Sequence, residues 1–118
     1  MSKAETKTDG AAAVEKPSFK SAGTFKAPVE IHRPGDTPES ITFTFKHKTR
    51  DEAKAFDQKL KDGTITDEGI ILDLASGWGY AEPFNAESVA ALVQDRAGVV
   101  RPIIKTYFAE LSGATLGN

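Results

Sequence analysis

Near the C-terminus, Val99, Val100, Ile103, Ile104, Tyr107, Phe108 and Leu111 recur at spacings of three and four. This is the period of a single α-helix, and no other stretch of the chain shows it so strongly. A helix this apolar has to bury a broad stripe, so the rest of the chain must supply a surface to cover it. The helix starts between Val99 and Pro102, because proline fits a helix only in its first turn, and Ser112-Gly113 ends it. The stripe is wider than one contact face needs in so small a domain. Two readings follow. Either all of it is core, or one side, with Val99, Ile103 and Phe108 at its rim, stays open for a partner or for self-association.

The covering surface is found upstream. Phe25, Ala27, Val29 and Ile31 alternate with Lys26, Pro28, Glu30 and His32, and Ile41, Phe43 and Phe45 alternate with Thr42, Thr44 and Lys46. A period of two marks a half-buried strand. Arg33-Pro34-Gly35-Asp36-Thr37-Pro38-Glu39 between them is rich in turn formers, so the pair reads as a β-hairpin with a long loop. Placing Ile31 opposite Ile41, Val29 opposite Phe43 and Ala27 opposite Phe45 makes one face apolar throughout. Pro28 has no N–H and belongs on an outer edge. A lone hairpin is marginal in water, so the apolar face must pack on helices.

Helix signals fill the region between. Thr49 and Glu52 form a capping box that opens a helix running to about Lys61, with Ala53, Phe56 and Leu60 on one face and Gly63 just past its end. Thr64 or Thr66 caps the next helix, which carries Ile70, Ile71 and Leu74 into Gly77-Trp78-Gly79. The glycines suggest a sharp helix–helix corner that aims Trp78 inward as a core anchor, expected to be mostly buried. An exposed aromatic contact for a partner is the other reading of Trp78. No Lys-Ser/Thr pair follows the glycines, so they do not make a phosphate loop. Asn85 caps a third helix, with Phe84 and Val89 at the spacing of a hydrophobic staple and Leu92, Val93 and Arg96 following.

The fold class is therefore α+β: an N-terminal hairpin (24–47) packed on about four helices (49–113) in a single domain over 24–118. Residues 1–23 carry Val14 and Phe19 as their only sizeable apolar side chains after Met1. That is too little to offset the cost of ordering them, and they read as a disordered tail, solvated or ordered on a partner. Deleting residues 1–22 is expected to leave the thermal midpoint nearly unchanged; a fall of more than a few degrees, about the effect of 1 kcal/mol, would show that the tail packs.

Composition excludes several chemistries. A net charge of −2 gives no general affinity for nucleic acid, and the absence of cysteine removes disulfide and thiol chemistry. No apolar run would span a bilayer, and no export signal is legible at the N-terminus. The two histidines, His32 and His47, fall on opposite faces and at opposite ends of the hairpin, so they read as surface residues and not as a shared metal site. Asp51-Glu52 and Asp67-Glu68 open helices, where negative charge already has a structural use. Lys46, Lys48 and Arg50 read as a solvated strand end, or as a contact for an acidic partner or phosphate. Nothing makes a positive case for an enzyme, a cofactor or a metal.

The order of these parts is similar to a known family. A hairpin is followed by a helix, then an apolar helix ending in Gly77-Trp78, then Pro83-Phe84-Asn85-Ala86-Glu87, Leu92, Ile103-Ile104, Tyr107, Leu111 and a short tail to Asn118. Over about residues 25–118 this resembles the tail assembly chaperones of long-tailed bacteriophages. Gly117, where a basic residue would be expected, and Pro102 depart from that pattern. The resemblance implies a non-enzymatic protein in the host cytoplasm that coats the long, helical tape measure protein. It then releases that protein as tail tube subunits polymerise around it. Many such genes also yield a longer product by ribosomal frameshifting, whose extra part recruits the tube protein; a chain ending at Asn118 would be the short form. From the residues themselves, Trp78, Phe84, Tyr107 and Leu111 read as structural core, and Val99, Ile103 and Phe108 as the partner-binding rim. Self-association is expected, nucleic acid and membrane are not. The competing classes are a tail completion or connector protein forming a ring in the virion, and a small host regulatory domain that binds nucleic acid.

Overall fold

The computed structural model describes residues 16–113. Of the expected disordered tail, residues 1–15 lie outside the described residues, as does the stretch after Gly113. Residues 16–23 are exposed and form neither helix nor strand. The elements then run β1 (Thr24–Ile31), β2 (Glu39–Lys46), α1 (Arg50–Asp62), α2 (Asp67–Leu74), β3 (Ala75–Trp78), α3 (Ala86–Asp95) and α4 (Val100–Ser112).

β1 and β2 form the expected antiparallel hairpin, with β1 and Pro28 on the outer edge of the sheet. Its register differs from the expected one by two residues. Ile31 lies opposite Glu39, Val29 opposite Ile41, Ala27 opposite Phe43 and Phe25 opposite Phe45. A shift of two keeps every side chain on its face, so the alternation alone did not distinguish the two registers. Two interactions favour the observed one. Phe25 gains an aromatic partner, its ring 5.6 Å from that of Phe45. Glu39, expected in the loop, joins the strand, where Arg96 and Tyr80 hold its carboxylate.

The hairpin also gains a third strand that the sequence reading lacked. Ala75–Trp78 does not turn a helix–helix corner; it runs extended and pairs antiparallel with β2. Gly77 and Gly79 are not among the glycines with positive φ. The segment has little intrinsic strand preference, and pairing with the open edge of β2 overrides that. Trp78 lies opposite Phe43 and Ala75 opposite Phe45, with a register slip between Thr44 and Phe45. The slip matters because Ala75 and Trp78 are three residues apart and would otherwise point to opposite faces. With Ser76 left out of the pairing as a bulge, both face the core beside Phe43 and Phe45.

The helices start where their caps predict. Thr49 Oγ1 accepts the Glu52 N–H at 3.2 Å while Glu52 Oε1 accepts the Thr49 N–H at 2.8 Å, a complete capping box. Thr66 caps α2 through the Gly69 N–H at 3.0 Å, and Asn85 caps α3 through the Ser88 N–H at 2.8 Å. α4 has no side-chain cap. Its first turn carries Pro102, whose missing N–H has no intrahelical partner to lose there.

The core lies between the sheet's apolar face and the helices. Val29, Ile31, Phe43, Phe45, Phe56, Ile71, Leu74, Val89, Ile103 and Tyr107 are essentially inaccessible. Tyr107 of α4 lies at the centre, its ring 5.5 Å from Phe25 and 5.4 Å from Phe45, and its hydroxyl donates to the Lys46 carbonyl at 2.7 Å. Lys48 corrects the reading of a solvated basic strand end. Its ammonium pairs with Asp73 at 3.0 Å and lies 5.5 Å over the Phe56 ring, joining β2 and α1 to α2, while Lys46 and Arg50 are exposed.

Candidate functional site

Two surfaces stand out, one along α4 and one between β3 and α3. α4 divides its apolar residues into two rows. Ile103 and Tyr107, with Val99 just before the helix, are buried. Val100, Ile104, Phe108 and Leu111, at i, i+4, i+8 and i+11, are half-buried at the margin of the core. Of the rim expected to meet a partner, Val99 and Ile103 are therefore interior residues that offer no surface, and Phe108 alone remains accessible. Each residue of the wider stripe leans toward the preceding turn, so the half-buried row is continuous along the helix. Phe108 extends it sideways toward α1, its ring 6.0 Å from that of Phe56. Of the other residues assigned to the core, Tyr107 is fully buried, and Trp78, Phe84 and Leu111 are half-buried and packed against it.

The second surface is an open cleft of ≈ 220 Å³ with walls from Trp78, Tyr80, Leu92 and Arg96, edged by Glu82, Ala91 and Asp95. Trp78 stands edge-to-face with Tyr80 at 5.2 Å and Phe84 at 5.0 Å, and its indole N–H donates to the Glu82 carbonyl at 2.8 Å. These contacts fold the β3–α3 connection over the indole. Behind the cleft lies a polar network. The Tyr80 hydroxyl donates to Glu39 Oε2, Arg96 Nη1 donates to the same oxygen at 2.9 Å, and Arg96 Nε donates to Asp95 Oδ2 at 3.0 Å. Arg33 adds a longer contact to Glu39 Oε1 at 3.5 Å. Glu39 comes from the start of β2, Tyr80 from just after β3 and Arg96 from the end of α3, so the network ties three parts of the chain together. It is mostly shielded: the Arg96 and Glu39 side chains are 13% and 19% exposed.

The charges respond to these contacts. The Tyr80 hydrogen bond holds the Glu39 carboxyl below the ordinary range, and Arg96 adds to this against some cost of desolvation. Burial pushes the Tyr107 hydroxyl up to about 12, helped by the negative charges of Asp73 and Glu52. Burial raises Tyr80 as well, together with its bond to the ionised Glu39. The consequences have opposite signs. Glu39 contributes stability that is present above its unfolded value of about 4.3 and is lost as pH falls through its lower folded value. The tyrosines contribute stability that is whole below the unfolded value of about 10 and is lost as pH rises toward their folded values. The thermal midpoint is thus expected to hold up to about pH 10 and then fall, with a proton-release slope approaching two per chain. Tyr80 and Tyr107 are the only tyrosines, so tyrosinate absorbance during unfolding counts both directly.

None of Glu39, Tyr80 and Arg96 was singled out as a site residue, because they belong to three different elements and no periodicity joins them. The one available signal was Glu39 immediately after a proline at the edge of the alternating run. His32 is exposed and His47 half-buried, and among the described residues no cluster of His, Cys, Asp or Glu is suited to hold a metal ion. No helix among those residues is long and apolar enough to cross a membrane.

The model of the family described as phage tail assembly chaperone matches residues 12–118. No curated protein and no solved structure matches the chain.

Proposed function

The chain belongs to the phage tail assembly chaperone family, and on that premise we propose that it binds the tape measure protein and keeps it soluble while the tail tube polymerises. The observation that carries this reading is the continuous half-buried row Val100, Ile104, Phe108 and Leu111 on α4. An amphipathic partner helix recognises such a row through apolar side chains at matching three- and four-residue spacings. Many copies bound along one long helical target would add avidity to a modest individual contact. In this reading the protein works without catalysis or cofactor in the host cytoplasm, and a longer frameshifted form brings in the tail tube protein.

The row also defines the test. Ile104→Glu places a charge at its middle while the buried residues Ile103 and Tyr107 stay intact. The variant is expected to fold, by circular dichroism and thermal midpoint, yet to bind a helical segment of the tape measure protein about tenfold or more weakly. Undiminished binding by the folded variant would remove α4 as the contact surface. Presence of the chain in purified mature particles would instead favour a structural tail component.

A further inference from the structure

Phe19 is the one large apolar side chain left exposed among the described residues, at 95%. It lies midway along the exposed, irregular arm Lys16-Pro17-Ser18-Phe19-Lys20-Ser21-Ala22, flanked by exposed Lys16 and Lys20. The Gly23 carbonyl accepts the His47 N–H at 2.9 Å, extending the β1–β2 ladder by one residue. The arm therefore leaves the sheet at the end opposite the hairpin loop. The cleft lies toward the other end, since Arg96 at its wall reaches the His32 carbonyl and Glu39 beside that loop.

Arm and cleft are complementary in chemistry. The cleft, at ≈ 220 Å³, exceeds the roughly 150 Å³ that holds a benzene ring in a protein interior. Its walls offer Trp78, Tyr80 and Leu92 to an aromatic side chain. Exposed Glu82 and Asp95 also line it, and its cation, Arg96, is engaged by Glu39 and Asp95, which leaves the lining without a free positive charge. An arm with a lysine on either side of a phenylalanine matches that arrangement in both shape and sign.

We infer that the arm of one copy docks into the cleft of a second copy, with Phe19 as its anchor and Lys16 and Lys20 facing Glu82 and Asp95. Arm and cleft lie at opposite ends of the sheet, so the contact is head-to-tail: each copy uses one surface to give and a different one to receive. A contact of this kind closes into a ring where the rotation between copies allows it and otherwise extends into a row. The arm adds nothing to the fold of a single copy, so its removal in dilute solution leaves the thermal midpoint in place.

The test uses the full chain alone, so its outcome does not depend on any tape measure protein. Light scattering over a concentration series should show the mass rising above that of one chain. Phe19→Ala removes the anchor from an exposed position. Ala91→Arg fills the cleft from an exposed helix position. Each should weaken association about tenfold or more. Mixed together, the two variants still have one intact cleft and one intact arm, and should form a two-chain species that neither forms alone. The single tryptophan, Trp78, lines the cleft and reports the same event: its emission should shift with concentration in the natural sequence and not in Phe19→Ala. A chain that stays single throughout, including one whose arm folds onto its own cleft, would overturn the inference. So would association unaffected by either variant, or failure of the mixture to pair.

Discussion

Tyr107→Ala is expected to cost about 3–5 kcal/mol, the range for deleting a large buried aromatic side chain. Tyr107 is fully inaccessible and touches the rings of Phe25, Phe45 and Phe108, so its loss opens a cavity between sheet and α4. Small domains are stable by about 5–15 kcal/mol in total, so the variant should be near the edge of folding at ordinary temperature. Tyr107→Phe separates packing from polarity. It keeps the ring and removes only the donor to the Lys46 carbonyl, at an expected cost of about 1 kcal/mol. Urea unfolding of both variants checks the pair. Equal losses would mean that the hydrogen bond, and not the ring, holds α4 to the sheet.

Trp78→Ala is the second large effect, at about 3 kcal/mol, the low end of the range for large aromatics because the indole is only half-buried. Its contribution is spread over several partners. The ring meets Phe43 across the β2–β3 ladder at 6.1 Å, and Tyr80 and Phe84 at shorter distances, and it anchors the Glu82 carbonyl. Removing it loosens the β3–α3 connection and with it the placement of Tyr80 against Glu39. The natural protein should emit at a wavelength between those of a buried and a fully solvated indole. Emission at the fully solvated position would contradict the packing described.

The helical half of this fold was legible because its signals are local. Thr49 with Glu52, Thr66 and Asn85 each cap a helix through residues three positions away, and the stripe from Val100 to Leu111 lies within a single element. The sheet was only half legible. Alternation fixed which face of the hairpin is buried, but two registers differing by two residues share that pattern, and what favours one is Phe25 meeting Phe45 and Glu39 meeting Arg96 far along the chain. β3 was missed for the same reason. Ala-Ser-Gly-Trp has little strand preference of its own, and the open edge of β2 together with a bulge at Ser76 makes it a strand. The division of α4 into buried and half-buried rows could not be read from spacing, since Ile103 and Ile104 are equally apolar and are separated only by what packs against them. Of the partner surface expected there, Val99 and Ile103 lie in the buried row.

Whether this chain keeps a long helical partner in solution is decided by co-expression with the tape measure protein of the same phage. The partner is expected in the soluble fraction with this chain, as one complex on a sizing column, and to be insoluble without it. A partner equally insoluble in both cases, with no complex eluting, would contradict that expectation.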